Sequence, residues 1–207
     1  EYDPQLPIHV GLDFGLTPAA AIGQRLNNGR WVILHEIVTE DMGLERFGNQ
    51  LLAELNAKYP KAQVLIWGDP AGMQRDAIYE VTAFDYLRTL GLRAQPTASN
   101  NFKVRREGAA APMQRLINGK PGLIVDKSCK MIRKSLAGGY HFKRIAVGAG
   151  HERFKDSPNK NEHSHIGDAF GYLMLGGGEH KRMTKNSLAA NTMIVQTVAT
   201  AEFDVFK

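Results

Sequence analysis

Three aspartates stand where an apolar segment gives way to a turn or a short helix. Asp13 closes "IHVGLD", Asp69 closes "QVLIWGD", and Asp168 sits in "HIGDAFGYL". The first two segments read as buried strands, so each acid falls at a strand's carboxyl end. Functional groups gather at that end in open α/β sheets. If the strands carrying Asp13 and Asp69 are neighbours, the two acids lie side by side, and a helix crossing the edge brings Asp168 to them. Carboxylates gathered in a partly dry site repel one another and call for a cation between them. Oxygen donors suit Mg²⁺ or Mn²⁺. Two such ions are the known means of stabilising both the attacking and the leaving oxygen of a phosphodiester. The candidate catalytic and metal-ligating residues are therefore Asp13, Asp69 and Asp168. The bland alternatives are a turn cap at Asp13, Asp-Pro turn chemistry at Asp69, and a first-turn helix acid at Asp168.

Charge distribution supports a polyanionic partner. The chain has 207 residues and a net charge of +5. Residues 101–160 hold 14 Lys/Arg against 4 Asp/Glu, so the rest of the chain is acidic. A basic segment of this kind reads as a nucleic-acid footprint. Lys103, Arg105 and Arg106 form a tight cluster where a helix is expected to start, against the helix dipole. They and Lys160 are candidate DNA contacts. His165, three residues before Asp168 and so on the same helical face, is a possible accessory group, as is Lys155. Phe102 reads as either a core residue or a platform for a base.

The elements that must position these residues follow from the pattern. "IHVGLDFG", "AAAIGQRL" and "WVILHEIV" read as an antiparallel meander, with "NNG" as its hairpin turn. "GLERFGNQLLAELNAKYP" has helical spacing and stops at Pro60. The spacing in "DAIYEVTAFDYLRTLG" predicts a helix from Asp76. "KVRREGAAAPMQRLING" reads as a helix that Pro112 kinks or restarts, and "CKMIRKSLAGGYHF" as another. "HERFKDSPNKNEHS" reads as a polar loop. The expected fold is α/β, a mixed sheet with antiparallel strands 1–3 followed by parallel strands, flanked by helices. Residues 8–178 read as the folded domain and 179–207 as a tail.

The composition narrows the classes. At 43% hydrophobic and 23% charged it is ordinary globular material. No apolar run is long enough to span a bilayer, so no membrane partner is expected. One cysteine, Cys129, rules out an internal disulfide and a cysteine-rich metal site, which fits a reducing, cytoplasmic setting. No GxxxxGK[ST] occurs, so no P-loop is present.

The combination "HVGLDFG … VLIWGDPAG … HSHIGDAFGYL" resembles the C-terminal nuclease domain of the large terminase subunit of tailed phages, a ribonuclease H-like family. The resemblance runs over residues 8–178, and the H-x-x-D-A-x-x-Y run is its most specific part; it implies that residues 1–7 are a linker remnant. It implies that Asp13, Asp69 and Asp168 are catalytic and bind two divalent metal ions (Mg²⁺ or Mn²⁺). It also implies an endonuclease that cuts concatemeric viral DNA during genome packaging in the host cell cytoplasm. Double-stranded DNA, an N-terminal ATPase domain, the small terminase subunit and the portal are the partners it implies. Some relatives carry a further acid before the third aspartate, where this chain has Gly167. Two other readings stay open. "GLDFGLT" is similar to the phosphate loop of actin-like ATPases and sugar kinases, and the chain could be a DNA-binding module without catalysis.

Overall fold

Alternation in the first strand sets the architecture. In β1 (Ile8–Asp13) Ile8, Val10 and Leu12 have no exposure and point to one face of the sheet, while His9, Gly11 and Asp13 point to the other. The computed structural model describes residues 2–15, 17–75, 81–146 and 152–179. Its main sheet has six strands in the order β5-β4-β1-β2-β3-β8. β1, β2 (Ala19–Arg25) and β3 (Trp31–Val38) pair antiparallel, as the meander reading expects. β4 (Val64–Gly68) joins β1 in parallel, and β5 (Ala94–Pro96) joins β4. At the other edge β8 (Leu123–Val125) is parallel to β3. The β2–β3 turn closes with Leu26 N–H donating to the Arg30 carbonyl, and Gly29 takes φ +87°, which favours glycine.

Each face of the sheet has its own core. Ile8, Val10, Leu12, Ala20 and Ile22 pack against α1 (Leu44–Lys58) and α2 (Ala83–Thr89) through Phe47, Leu51, Phe84 and Leu87. On the opposite face Ala19, Ala21, Trp31 and Ile33 meet Ile166, Ala169, Phe170, Leu173 and Met174 of α5 (Ser164–Gly176). Burying each large side chain contributes about 1.5–3 kcal/mol. α5 lies directly on β1. A Cβ at Gly11 would run into the Ala169 carbonyl and the Leu173 N–H, so only glycine lets the two backbones come this close. α3 (Phe102–Gln114) and α4 (Lys130–Lys134) complete that layer.

Several expectations change. α2 begins at Ala83, not Asp76. Thr82 caps it by accepting from Asp85 N–H while its hydroxyl donates to the Asp85 carboxylate. Residues 76–80 lie outside the described residues. α3 runs through Pro112 and ends two residues later. The helix beginning after Cys129 is short, because Ser135–Gly139 forms a wider turn in which Gly138 takes φ +111°. The segment read as a polar loop is largely a strand, β10 (Glu152–Pro158), paired antiparallel with β9 (Phe142–Ala146). A third, two-stranded sheet joins β6 (Leu116–Ile117) to β7 (Lys120–Pro121).

Both ends of the described chain are tied down. In the residues read as a linker, Tyr2 meets Tyr59 edge-on at 5.1 Å, and the Gln24 amide donates to the Asp3 and Leu6 carbonyls. Glu179, read as the start of the tail, is fully buried. It accepts from Trp31 Nε1 at 2.8 Å and from Arg115 at 2.6 and 3.0 Å. Residues 180–207 lie outside the described residues.

Candidate active site

The parallel pairing of β1 with β4 decides where two of the acids go. Leu12 is in register with Gly68, and Asp69 N–H donates to the Leu12 carbonyl at 3.2 Å. Asp13 and Asp69 therefore sit side by side at adjacent strand ends. Asp69 also performs the turn role expected of Asp-Pro: its Oδ1 accepts Ala71 N–H at 2.9 Å and caps the 3₁₀ turn Pro70–Met73. Phe14 fills the space above this turn, against Phe84 and over Gly68 and Gly72.

One face of α5 then meets both strand ends. His165, Asp168 and Tyr172 are spaced three and four apart, so they line one stripe. His165 Nδ1 lies 2.8 Å from Asp13 Oδ2. The Tyr172 hydroxyl lies near enough to Asp69 for that carboxylate to help push its pKa up. Asp168, between them in sequence, is only 3% exposed and has partners on both oxygens. Its Oδ1 accepts from the Tyr140 hydroxyl at 2.9 Å and lies 2.7 Å from Arg105 Nη1, while Oδ2 accepts from Lys160 Nζ at 2.6 Å. The Arg105 guanidinium in turn stacks over Tyr172 at 4.6 Å.

The electrostatics of the two buried acids differ. Burial, joined by the Asp168 charge, pushes the Asp13 carboxyl up to about 6, against the pull of the His165 hydrogen bond. Burial and the adjacent carboxylates push the Tyr140 and Tyr172 hydroxyls well above their usual range, so both stay protonated donors. The buried Cys129 thiol is pushed up to about 12 by burial and is not a nucleophile.

The basic candidates separate. Lys103 is exposed on the first turn of α3, and Arg106 is exposed and paired with Glu107 at 2.6 Å. Arg105 is not a surface contact: it is buried and paired with Asp168. Lys160 likewise turns inward at its tip to Asp168, although its side chain remains 65% exposed. Lys155 is exposed on β10, and no described contact ties it to the aspartates. Tyr140 escaped the sequence reading altogether. Its only trace there is Gly167, where a Cβ would fall 2.6 Å from the Tyr140 ring and from Ser135 Oγ. An acid at 167 therefore has no room without displacing Tyr140.

The donor set fits one hard dication better than two. Asp13 is a buried carboxylate short of positive charge, and Asp69 is its neighbour. Both offer oxygen, the donor that Mg²⁺ and Mn²⁺ prefer. Asp168 can join them only if Lys160 withdraws toward solvent, since Arg105 is enclosed. Among the described residues no group of three or more His, Cys, Asp or Glu side chains stands arranged around a common metal position.

No protein-family model matches the sequence, and no curated protein is similar to it. Solved structures are similar in fold. The large terminase nuclease domain of bacteriophage SPP1, with bound Mn, superposes with a TM-score of 0.52 over 81% of this chain and 84% of that one, at 18% identity. The fold is that of the large-terminase nuclease domains. The large terminase nuclease of thermophilic phage G20c, with bound cobalt, gives 0.50 over 83% of each chain at 16% identity. The terminase-nuclease fold carries the expected ribonuclease H-like sheet, antiparallel in strands 1–3 and parallel beyond.

Proposed function

We propose that this chain is a divalent-metal-dependent DNA endonuclease in which Asp13, Asp69 and Asp168 form the catalytic centre. The observation that carries the reading is the meeting of three elements. β1 and β4 end on adjacent acids, and one stripe of α5 reaches both of them. The Mn and Co bound by the two nuclease domains of the same fold support a divalent ion here. When bound, such an ion supplies Lewis-acid stabilisation of the charge that builds on a phosphodiester. Asp13 and Asp69 would hold it. His165 orients the Asp13 carboxylate, and Tyr172 stands beside Asp69. Arg105 and Tyr140 hold Asp168 against the site. The exposed Lys103 and Arg106 would follow the DNA backbone without reading sequence.

The reading extends to a role: cutting concatemeric viral DNA during packaging in the host cytoplasm, alongside an ATPase domain, a small terminase subunit and the portal. Full use of a second ion requires Lys160 to leave Asp168. Because Lys160 and Arg105 already neutralise Asp168, a DNA-binding module without hydrolysis is the second reading. Mn²⁺-dependent plasmid nicking separates the two. Asp13→Asn is expected to lower nicking by at least about 100-fold, beyond the loss from a group that only orients a ligand. Nicking at the wild-type rate by this variant defeats the assignment, and no nicking by the wild-type chain in Mg²⁺ or Mn²⁺ selects the second reading.

A further inference from the structure

Beside Asp168 lies a cavity of about 280 Å³. Phe102, Tyr140 and Phe142 form aromatic walls. Phe102 meets Tyr140 at 5.7 Å and Phe142 at 5.3 Å, both edge-on. Phe170 and Gly171 of α5 line its buried side, and exposed Met113 and His141 line its open side. Arg105 also lines the cavity and is more than nine-tenths buried. Its Nη1 touches Asp168 but is not aligned to donate to it. Its Nε is buried and meets no acceptor among the described residues. A buried guanidinium N–H without an acceptor is costly unless a ligand supplies one.

We infer that this cavity is a subsite for one unstacked nucleobase of the DNA strand held at the aspartates. This rests on the nuclease reading and names how the substrate is held. Rings at right angles accept a planar ring by stacking on one and edge contact with another. The Arg105 guanidinium borders the cavity, and a small shift of its side chain brings an N–H to the ring-nitrogen and carbonyl acceptors on base edges. The cavity takes a single ring system and not a pair, so the base must leave its stack, which single-stranded or frayed DNA allows at least expense. Every phosphate in the site brings a base within a nucleotide's length, and Asp168 is shared by cavity and centre.

The test uses the full chain in EDTA, so that nothing is cut, with two 12-nucleotide single strands. One carries 2-aminopurine at a central position, and the other is abasic there. The wild-type chain should bind the first about 10-fold or more tighter than the second, with 2-aminopurine fluorescence quenched on the aromatic walls. Phe102→Ala, which removes a wall, and Ala110→Phe, which fills the cavity, should each abolish the difference while keeping the affinity for the abasic strand. Equal wild-type affinity for the two strands overturns the subsite and leaves Mn²⁺-dependent nicking intact. An undiminished preference in both variants overturns it as well. Failure to bind either strand, together with no nicking, overturns the subsite and the nuclease reading alike.

Discussion

Asp13 and Asp168 lie on touching elements and are buried almost equally, at 6% and 3% exposure, yet their surroundings are opposite. Among the described residues Asp13 has one hydrogen-bonding side-chain partner, His165, and its carboxyl is pushed up to about 6. Asp168 has a guanidinium, an ammonium and a phenol around two oxygens. The first is a carboxylate short of positive charge. The second is part of the architecture of the core. A substitution series that treats the acids as equivalent would therefore confuse lost chemistry with lost stability.

The largest expected effect breaks the comparison from the Asp168 side. Asp168→Asn leaves Arg105 enclosed without its counter-charge, which costs about 3–5 kcal/mol. For a chain of this size that lowers Tm by roughly 6–20 °C. Asp13→Asn removes an unfavourable buried charge and should leave Tm unchanged or raised at pH 8. Equal losses in differential scanning calorimetry would show that the two acids are alike after all.

The next effect is a pH dependence, and it sharpens the contrast. The Asp13 carboxyl titrates higher when folded than when unfolded. Between about pH 4 and 6 the folded state therefore holds a proton that the unfolded state has lost. Stability falls with rising pH there, by on the order of 3 kcal/mol in total. His9, sandwiched between Trp31 and Trp67, is pushed down to about 4 by burial. The unfolded state then holds the extra proton between about pH 4 and 6.5, and stability rises with pH by a similar amount. The two oppose each other in the same window. In urea melts without divalent ions, Asp13→Asn should unmask the His9 rise, giving a curve steeper with pH than the wild type. Identical curves would remove the charge strain assigned to Asp13.

The smallest effect concerns Lys160, whose side chain is mostly in solvent. Lys160→Gln should change stability by less than about 1 kcal/mol. It removes the chain's own competitor for Asp168, so Mn²⁺ should bind several-fold more tightly by isothermal titration calorimetry. Unchanged Mn²⁺ affinity would mean that Asp168 and the ion do not share a place.

Strand-end positions were legible because apolar runs stop abruptly at Asp13 and Asp69, and a parallel pairing needs no more than that. The stripe His165–Asp168–Tyr172 followed from helical spacing. Arg105 was misread because adjacency in sequence was taken for adjacency on a surface. On a helix, Arg105 shares its face with Gly108 and Pro112, both buried, whereas Lys103 and Arg106 turn outward. The small residue at Gly108 was the available sign of a packed face. β10 was missed because the β9–β10 pair lies outside the main sheet, and its largely exposed strand carries no run of buried apolar positions. The α2 start was visible in Thr82 and Asp85, a capping pair masked by the apolar residues before it. Tyr140 reaches Asp168 from a turn that no local periodicity predicts.

Gly11 gives the acid cluster an unusual ruler. The separation between the first and third acids is set by a methyl group that is not there, since any side chain at this position would wedge the last helix off the first strand. Gly11→Ala, which alters no proton and no charge in the site, would thus pry the two halves of the acid cluster apart.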